Sequence, residues 1–234
     1  MTIYLGMDDT DNLESRGTGR LARAVATAID EHYPVSSVTR HQLYVHEDIP
    51  FTSHNSCAVL HIESDALSVV PEVFDIAEEM MLDDFVEGSD PGLCAAHASA
   101  ITPALQAYGW DAKVTVITQE RARTLAKNHG IFLKGLGGTE DGVIGSLAGI
   151  GLASTGNDGR LLMKGSIRDH TGPQEAPALL AAGIDEIWST HGERVTAGTV
   201  FTREGKSVKA NMVGGRVVLM VEACDGGWTA LKRG

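Results

Sequence analysis

The sequence of 234 residues is poor in cysteine, and its three cysteines, Cys57, Cys94 and Cys224, stand far apart. No C-x-x-C pair is present, which argues against a zinc ribbon and against a disulfide framework and is typical of a protein from a reducing compartment. The nine histidines include no H-x-x-x-H spacing of the kind that binds zinc. We therefore expect a cytoplasmic protein.

The sequence also lacks long apolar runs and an excess of positive charge. No uninterrupted apolar stretch reaches the roughly 20 residues that a membrane span needs, and the first residues do not form a basic segment followed by an apolar core. The formal net charge is −12 at pH 7, whereas binding to a nucleic-acid backbone normally requires a basic surface. We expect neither a membrane nor tRNA to be a partner.

Hydrophobic periodicity predicts a mixed chain of helices and strands, long enough for one large domain or two small ones. The predicted strands are 2–7, 35–45, 57–62, 93–97, 113–118, 160–166, 195–203, 207–213 and 216–222, and the predicted helices are 20–31, 67–81, 99–108 and 143–150. Alternating strands and helices over 57–118 predict a small α+β sandwich of ferredoxin-like type. Turn residues at 204–205 and 214–215 predict that the last three strands form an antiparallel meander.

Three carboxylates, Asp8, Asp9 and Asp11, crowd into four positions directly after the first predicted strand. Like charges this close repel, so we expect a cation between them. Oxygen-rich clusters suit Mg²⁺, which usually binds together with substrate phosphates. The alternative is a solvated acidic turn, because Asp favours non-helical backbone.

Two predicted helices begin beside glycines, where free backbone N–H groups and the helix dipole favour an anion. The first has its N-cap at Thr18 or Gly19. The second follows the glycine loop at 134–142, which lacks the Gly-Lys-Ser/Thr ending of a Walker A motif. The candidate phosphate ligands are Gly17, Gly19, Arg20, Lys134, Gly142, Gly145 and Ser146.

Three glycines of the second helix, Gly142, Gly145 and Gly149, fall on one helical face. Bare backbone on one face indicates that something approaches it closely. Close packing on a sheet and contact with a ligand are both consistent with this spacing.

Taken together, these stretches resemble the archaeal isoleucine-tRNA 2-agmatinylcytidine synthetase family. Residues 6–11 match the family's Asp-Asp-Thr-Asp turn after its opening strand, and residues 142–151 match its glycine helix. Gly17-Thr18-Gly19 stands at its Cys-Thr-Thr, residues 50–55 echo its Pro-aromatic-Lys-Thr-Arg-Gly-Asn stretch, and Pro91-Gly92 is its Pro-Gly turn. The resemblance covers roughly the first 170 residues.

The resemblance implies an α+β fold in which a kinase-like α/β module is combined with a ferredoxin-like domain and a C-terminal antiparallel meander. It divides the chain into an ATP-binding part at 1–56, a ferredoxin-like part at 57–129, and a glycine helix with meander at 130–234 that completes the ATP module. It also implies that Asp8, Asp9 and Asp11 hold Mg²⁺ and ATP, and that Thr18 is the hydroxyl phosphorylated from ATP.

The sequence departs from this family at two places. It lacks the cysteines of the family's zinc ribbon, and Thr52-Ser53-His54 stands where the family has Lys-Thr-Arg. We therefore expect a short relative without the OB-fold and the ribbon. It is expected to be a Mg²⁺- and ATP-dependent phosphotransferase or ligase-like enzyme that acts on a small polar or nucleotide acceptor. A homodimer is left open.

Other classes of protein remain as alternatives. A non-catalytic nucleotide sensor would keep the pocket and lack the acceptor site, and an RNA-binding or tRNA-modifying protein would need a local basic surface. Asp9-Thr10-Asp11 also resembles the start of haloacid-dehalogenase-type phosphatases, but Leu13 stands where that motif has Thr or Val. An EF-hand is disfavoured because Glu14 occupies its glycine position.

Overall fold

The computed structural model of the protein describes residues 1–12, 17–49, 54–202 and 205–232. These residues form two compact units, Met1–Thr155 and Gly156–Gly234. Within the described ranges, no helix is both long and apolar enough to cross a membrane. Both units combine helices and strands, so the expected α+β class is confirmed.

The first unit is a five-stranded sheet with five helices. Its elements are β1 (Thr2–Asp8), α1 (Thr18–Asp30), β2 (Val35–Gln42), β3 (Ser56–Glu63), α2 (Val69–Asp83), β4 (Gly92–His97), α3 (Pro103–Asp111), α4 (Gln119–His129), β5 (Phe132–Gly135) and α5 (Gly142–Ser154). The strands lie in the order β5-β4-β1-β3-β2, and every neighbouring pair is antiparallel. The first six elements thus follow a β-α-β-β-α-β order over residues 2–97, with β1 central.

Helix α5 lies directly on the backbone of this sheet. It packs against β1, β3 and β4, and the strands present glycine where the helix crosses them. A Cβ at Gly6 of β1 would overlap the carbonyl oxygen of Ser146, and a Cβ at Gly92 of β4 would overlap the backbone of Gly142. The predicted glycine helix is confirmed, and its glycine face is matched by glycines on the opposing strands.

The predicted strand at 113–118 is wrong. These residues form turns after α3, where the backbone N–H groups of Val114 and Thr115 both donate to the carbonyl of Asp111. The alternating valines suggested a half-buried strand, but Val114 is 64% exposed and Val116 is 47% exposed. The side chain of Thr118 then accepts a hydrogen bond from the N–H of Arg121 and begins α4, a helix that the periodicity did not predict.

The second unit is a sheet with one short helix. Its elements are β6 (Arg160–Met163), β7 (Gln174–Glu175), α6 (Ala176–Ala181), β8 (Glu186–Ser189), β9 (Thr199–Phe201), β10 (Asn211–Val213), β11 (Arg216–Cys224) and β12 (Gly227–Ala230). The strands run in the order β6-β10-β11-β12-β9-β7, and β8 pairs with β11. Apolar residues from β8, β9, β11 and α6 form its core.

The predicted meander is correct in one of its two pairings. β10 and β11 form an antiparallel pair across the turn at Gly214-Gly215, whose φ values of 58° and 75° favour glycine. The predicted strand at 195–203, observed as β9, pairs instead with β12, and this pair is parallel. The strand β12, which was not predicted, forms the second antiparallel pair with β11. It therefore lies between β11 and β9. Glu204, predicted to be in a turn, lies outside the described residues.

The two units do not coincide with the three predicted segments 1–56, 57–129 and 130–234. The sheet of the first unit takes β1 from the first segment, β4 from the second and β5 from the third. The β-α-β-β-α-β order also begins at β1, ahead of the predicted ferredoxin-like part. The assignment of separate functional roles to these three segments stays a prediction.

Candidate active site

A cleft of the first unit, with a volume of about 160 Å³, lies where β1 ends. Its lining combines carboxylates with apolar side chains. The residues that line it are Asp8, Asp9, Asp11, Thr18, Leu43, Asp48, Ile49, His54, Asn55, Ser56, Ala112, Thr115, Val116, Ile117, Asp141, Ile144 and Gly145. Segments distant in the sequence therefore meet at the predicted acidic turn.

Asp8 is the last residue of β1 and lies against α5. The absence of a side chain at Gly145 makes room for its carboxylate: a Cβ there would overlap Oδ2 of Asp8 and come within 2.7 Å of its Cγ. Burial is the main cause that raises the pKa of Asp8 well above its usual range, and the charge of Asp9 adds to it. The carboxylate form is therefore costly here unless a cation neutralises it.

Asp9 turns the chain away from the strand. Its φ of 52° lies in the left-handed region, which Asp tolerates better than most residues with a side chain. Burial, followed by the charges of Asp90, Asp11 and Asp141 in that order of importance, raises its pKa to about 6. Carboxylates from three separate segments thus act on the charge of one group.

Thr18 faces the acidic turn from the start of α1. The N-cap is Gly17 and not Thr18 or Gly19 as predicted. Its φ of 84° is a value that glycine adopts readily. Thr18 is instead the first helical residue, is buried, and donates its hydroxyl hydrogen to Oδ1 of Asp11 over 3.0 Å. The structure therefore brings Asp8, Asp9, Asp11 and Thr18 together in one cleft.

Most of the predicted phosphate ligands lie elsewhere. Of the seven, only Gly145 is among the described residues that line the cleft. Arg20 is exposed on α1, and Lys134 on β5 forms an ion pair with Glu78 of α2. Ser146 is fully buried and donates its hydroxyl to the carbonyl of Val143. Gly17 and Gly19 are partly exposed on either side of Thr18.

The glycine face of α5 packs on the sheet. A Cβ at Gly142 would lie 2.6 Å from the carbonyl oxygen of Asp90, and one at Gly149 would lie 2.7 Å from Sγ of Cys57. Of the two interpretations of these glycines, close packing on a sheet therefore holds for all three. Gly145 has a second role because it also borders the cleft.

Two charged residues of this region were not singled out by the sequence. Asp141 precedes α5, and its carboxylate accepts hydrogen bonds from Gln119 Nε2 at 2.7 Å and Thr139 Oγ1 at 3.0 Å. Arg40 on β2 donates from Nε to Oγ of Ser56 at 2.8 Å, and its charge interacts with that of Asp11. The acidic pair before the glycine helix could have signalled Asp141, whereas nothing in a strand pattern marks Arg40.

The donor chemistry of the cleft fits a hard divalent cation. Its ionisable oxygen donors are carboxylates, and burial together with neighbouring carboxylates raises the pKa values of Asp8 and Asp9. Among the residues that the structure describes, no group of three or more His, Cys, Asp or Glu side chains is arranged to hold a metal ion. Mg²⁺ commonly needs only one or two carboxylates, with water and phosphate completing its shell.

No protein-family model matches the sequence, and no curated protein matches it. Solved structures do match. The apo form of TiaS, the agmatidine synthetase of an isoleucine tRNA, is 21% identical with a TM-score of 0.53, and the match covers 64% of this chain and 35% of that one. The matched part of this chain has the fold of TiaS. The resemblance inferred from the sequence is thus confirmed for the fold.

Two TiaS complexes match over the same 64% of this chain and 36% of theirs. The complex of TiaS with its isoleucine tRNA and ATP is 22% identical with a TM-score of 0.54. The complex of TiaS with the same tRNA, AMPCPP and agmatine is 19% identical with a TM-score of 0.53. The match therefore spans about a third of the length of TiaS. The predicted match at residues 50–53 lies outside the described part of this chain.

Proposed function

We propose that this chain is a Mg²⁺- and ATP-dependent phosphotransferase or ligase-like enzyme that acts on a small polar or nucleotide acceptor. The observation that carries the proposal is the hydrogen bond from the Thr18 hydroxyl to Asp11 within the carboxylate-lined cleft. The fold supports it, because TiaS has been solved in complexes with ATP and with AMPCPP. This pairing of a hydroxyl nucleophile with a base is the arrangement that covalent catalysis requires.

In the proposed reaction, Thr18 is the nucleophile and Asp11 is the base. A bond forms between Oγ1 of Thr18 and the phosphorus that is transferred, while the bond from that phosphorus to the bridging oxygen of the nucleotide breaks. Asp11 takes the hydroxyl proton, which it already accepts in a hydrogen bond of 3.0 Å. The phosphothreonine formed in this way would then pass its phosphoryl group to the acceptor.

The remaining carboxylates and the helix start have supporting roles. Asp8 and Asp9 would hold Mg²⁺, which supplies positive charge against the phosphate oxygens. Gly17 and Gly19 would offer backbone N–H groups at the start of α1. The apolar wall that includes Val116, Ile117 and Ile144 would pack against the nucleoside and exclude water.

A second candidate is a nucleotide sensor without catalytic activity. One observation favours it: none of the described residues lining the cleft is Lys or Arg, although enzymes that transfer phosphoryl groups commonly place a cation on the phosphates. In the enzyme proposal, Arg40 beside Asp11 fills this role. The two candidates differ in whether a product forms after ATP binds.

Intact-mass analysis after incubation with Mg²⁺ and ATP tests the proposal. The parent protein is expected to gain one phosphate, Thr18→Ala to gain none, and Asp11→Asn to gain it much more slowly. Thr27→Ala is the matched control, because Thr27 lies on the same helix, exposed, with its hydroxyl bonded to the carbonyl of Arg23. ATP binding by calorimetry without any mass gain would favour the sensor, and a gain that persists in Thr18→Ala would contradict the assignment of the nucleophile.

A further inference from the structure

The negative charge of the chain is concentrated in its first unit. Residues 1–155 contain nine Lys and Arg against 22 Asp and Glu, whereas residues 156–234 contain ten against nine. The net charge of −12 is therefore a property of the first unit, and the second unit is close to neutral with one excess positive charge. Surfaces of the two units can attract different ligands.

Four cations of the second unit lie near enough to a fifth, Lys209, to act on its charge. Lys209 has four cationic electrostatic neighbours, Arg160, Arg168, Lys206 and Lys232. Arg168, Lys206 and Lys232 are exposed, while Arg160 and Lys209 are partly buried. We call these five residues the basic cluster.

Backbone pairing fixes most of the basic cluster in place. The chain after Lys209 pairs with β6, since Arg160 is opposite Asn211 and the N–H of Leu161 donates to the carbonyl of Ala210 at 2.8 Å. A bridge between Thr171 and Ser207 joins the segment after Arg168 to the segment that carries Lys206. Three separate stretches of chain thus present their cations to one place.

Three further described cations of this unit form ion pairs. Lys164 pairs with Asp185 at 2.9 Å, and both Arg194 and Arg216 pair with Glu186. Lys209 is partly desolvated, and burial followed by the four positive charges lowers its pKa. Asp169 follows Arg168 directly and is the carboxylate nearest to it in the sequence. Cations close to one another repel, and an anion bound among them would reduce that repulsion.

We propose that the basic cluster is a binding site for phosphate groups, supplied by a free oligophosphate or by consecutive phosphates of a nucleic-acid backbone. The exposed Arg168, Lys206 and Lys232 make the contacts, Arg being suited to bidentate binding of phosphate oxygens. Lys209 and Arg160 contribute positive potential from beneath them. The site belongs to the second unit alone and is independent of the ATP chemistry proposed for the first.

Binding of two probes to the full chain tests this site. The probes are inorganic tripolyphosphate, followed by calorimetry, and a fluorescein-labelled single-stranded RNA of about 12 nucleotides, within the range of single-strand site sizes, followed by polarisation. Both are used with chelator so that no divalent cation is present. The cluster variant is Arg168→Gln/Lys206→Gln, which changes two exposed side chains. The control is Arg194→Gln/Arg216→Gln, which changes net charge equally in the same unit.

The cluster variant is expected to lose about tenfold or more in affinity and the control less than about twofold. For RNA, the slope of log affinity against log salt should fall in magnitude by about 1.4, because each lost phosphate contact on a single strand contributes about 0.7. Loss with both probes indicates free oligophosphate as a sufficient ligand, and loss with RNA alone indicates a nucleic-acid backbone. Lys209→Gln, with folding checked by thermal unfolding, is the second variant. Equal affinity of cluster and control variants for both probes would overturn the proposal.

Discussion

Replacing Gly145 by alanine should disable the proposed site without unfolding the protein. The added Cβ would overlap Oδ2 of Asp8, lie 2.7 Å from Cγ of the same residue, and lie 2.8 Å from Cδ1 of Leu43. The backbone of α5 is fixed against β1 and β4 by glycine contacts, so the carboxylate of Asp8 has to move. Overpacking costs about 1–3 kcal/mol, and alanine regains about 1 kcal/mol of helix propensity.

Gly149→Ala is the matched control for this substitution. Its Cβ would meet Sγ of Cys57 at 2.7 Å and Cγ2 of Val59 at 2.8 Å, a similar degree of crowding one turn further along α5. Neither Gly149 nor Cys57 lines the cleft. The two variants should therefore lose similar free energies of unfolding in urea while differing in their effect on the site.

The assay is the initial rate of ATP-dependent phosphorylation, measured where both variants are fully folded. Displacing a catalytic group by about 1 Å costs on the order of 100-fold in rate, so Gly145→Ala should fall by about that factor. Gly149→Ala should stay within a few-fold of the parent. Equal rates for the two variants would refute the role of Gly145 in placing Asp8.

Three further predictions concern stability. Burial and neighbouring carboxylates raise the pKa of Asp9 to about 6. Without metal, the ionised Asp9 therefore destabilises the folded state fully above pH 6, and this destabilisation fades as the pH falls towards 4. In urea unfolding, Asp9→Asn should stabilise the metal-free protein at pH 7 by about 1–3 kcal/mol, after allowance for partial exposure, and should not stabilise it at pH 4. Burial and His41 lower the pKa of His61 to about 3, and both imidazole rings form a hydrogen bond with Oγ1 of Thr39. The protein should therefore lose stability below pH 6.5, by about 2 kcal/mol at pH 5. His61→Gln should reduce this loss, and an unchanged dependence of stability on pH would contradict the role of His61. Gly17→Ala, at φ 84°, should destabilise by about 1–2 kcal/mol, and a stabilising result in chemical unfolding would exclude strain at this N-cap.

The acidic turn and the glycine helix could be predicted because their signals are local. Asp8 and its neighbours follow an apolar strand directly, and the glycines of α5 repeat at helical spacing. That Thr115, Val116 and Ile117 line the same cleft could not be predicted, since they lie in a segment whose alternation is typical of a strand. Alternation indicates a half-buried segment, but here the segment forms turns after α3 and lines the cleft.

The cationic ligands were predicted less well, because the presence of a Lys or Arg in the sequence does not indicate where its side chain lies in the fold. Lys134 lies in the glycine loop in the sequence, yet it is part of β5 and its ammonium pairs with Glu78 on α2. Arg40, which does lie beside the cleft, reaches it through strand pairing between β2 and β3. Such contacts depend on long-range register, which a single sequence does not contain.

The glycine contacts between α5 and the sheet have a consequence for biosynthesis. The acidic turn leaves the ribosome before α5, and α5, the helix that positions Asp8, is the last element of the first unit to be made. Until residues 142–154 emerge, Gly6 and Gly92 lack their contacts with α5, and the carboxylate of Asp8 lacks its contact with Gly145. Nascent chains that stall before this point should bind no nucleotide, and those that stall after Thr155 should already hold a complete cleft.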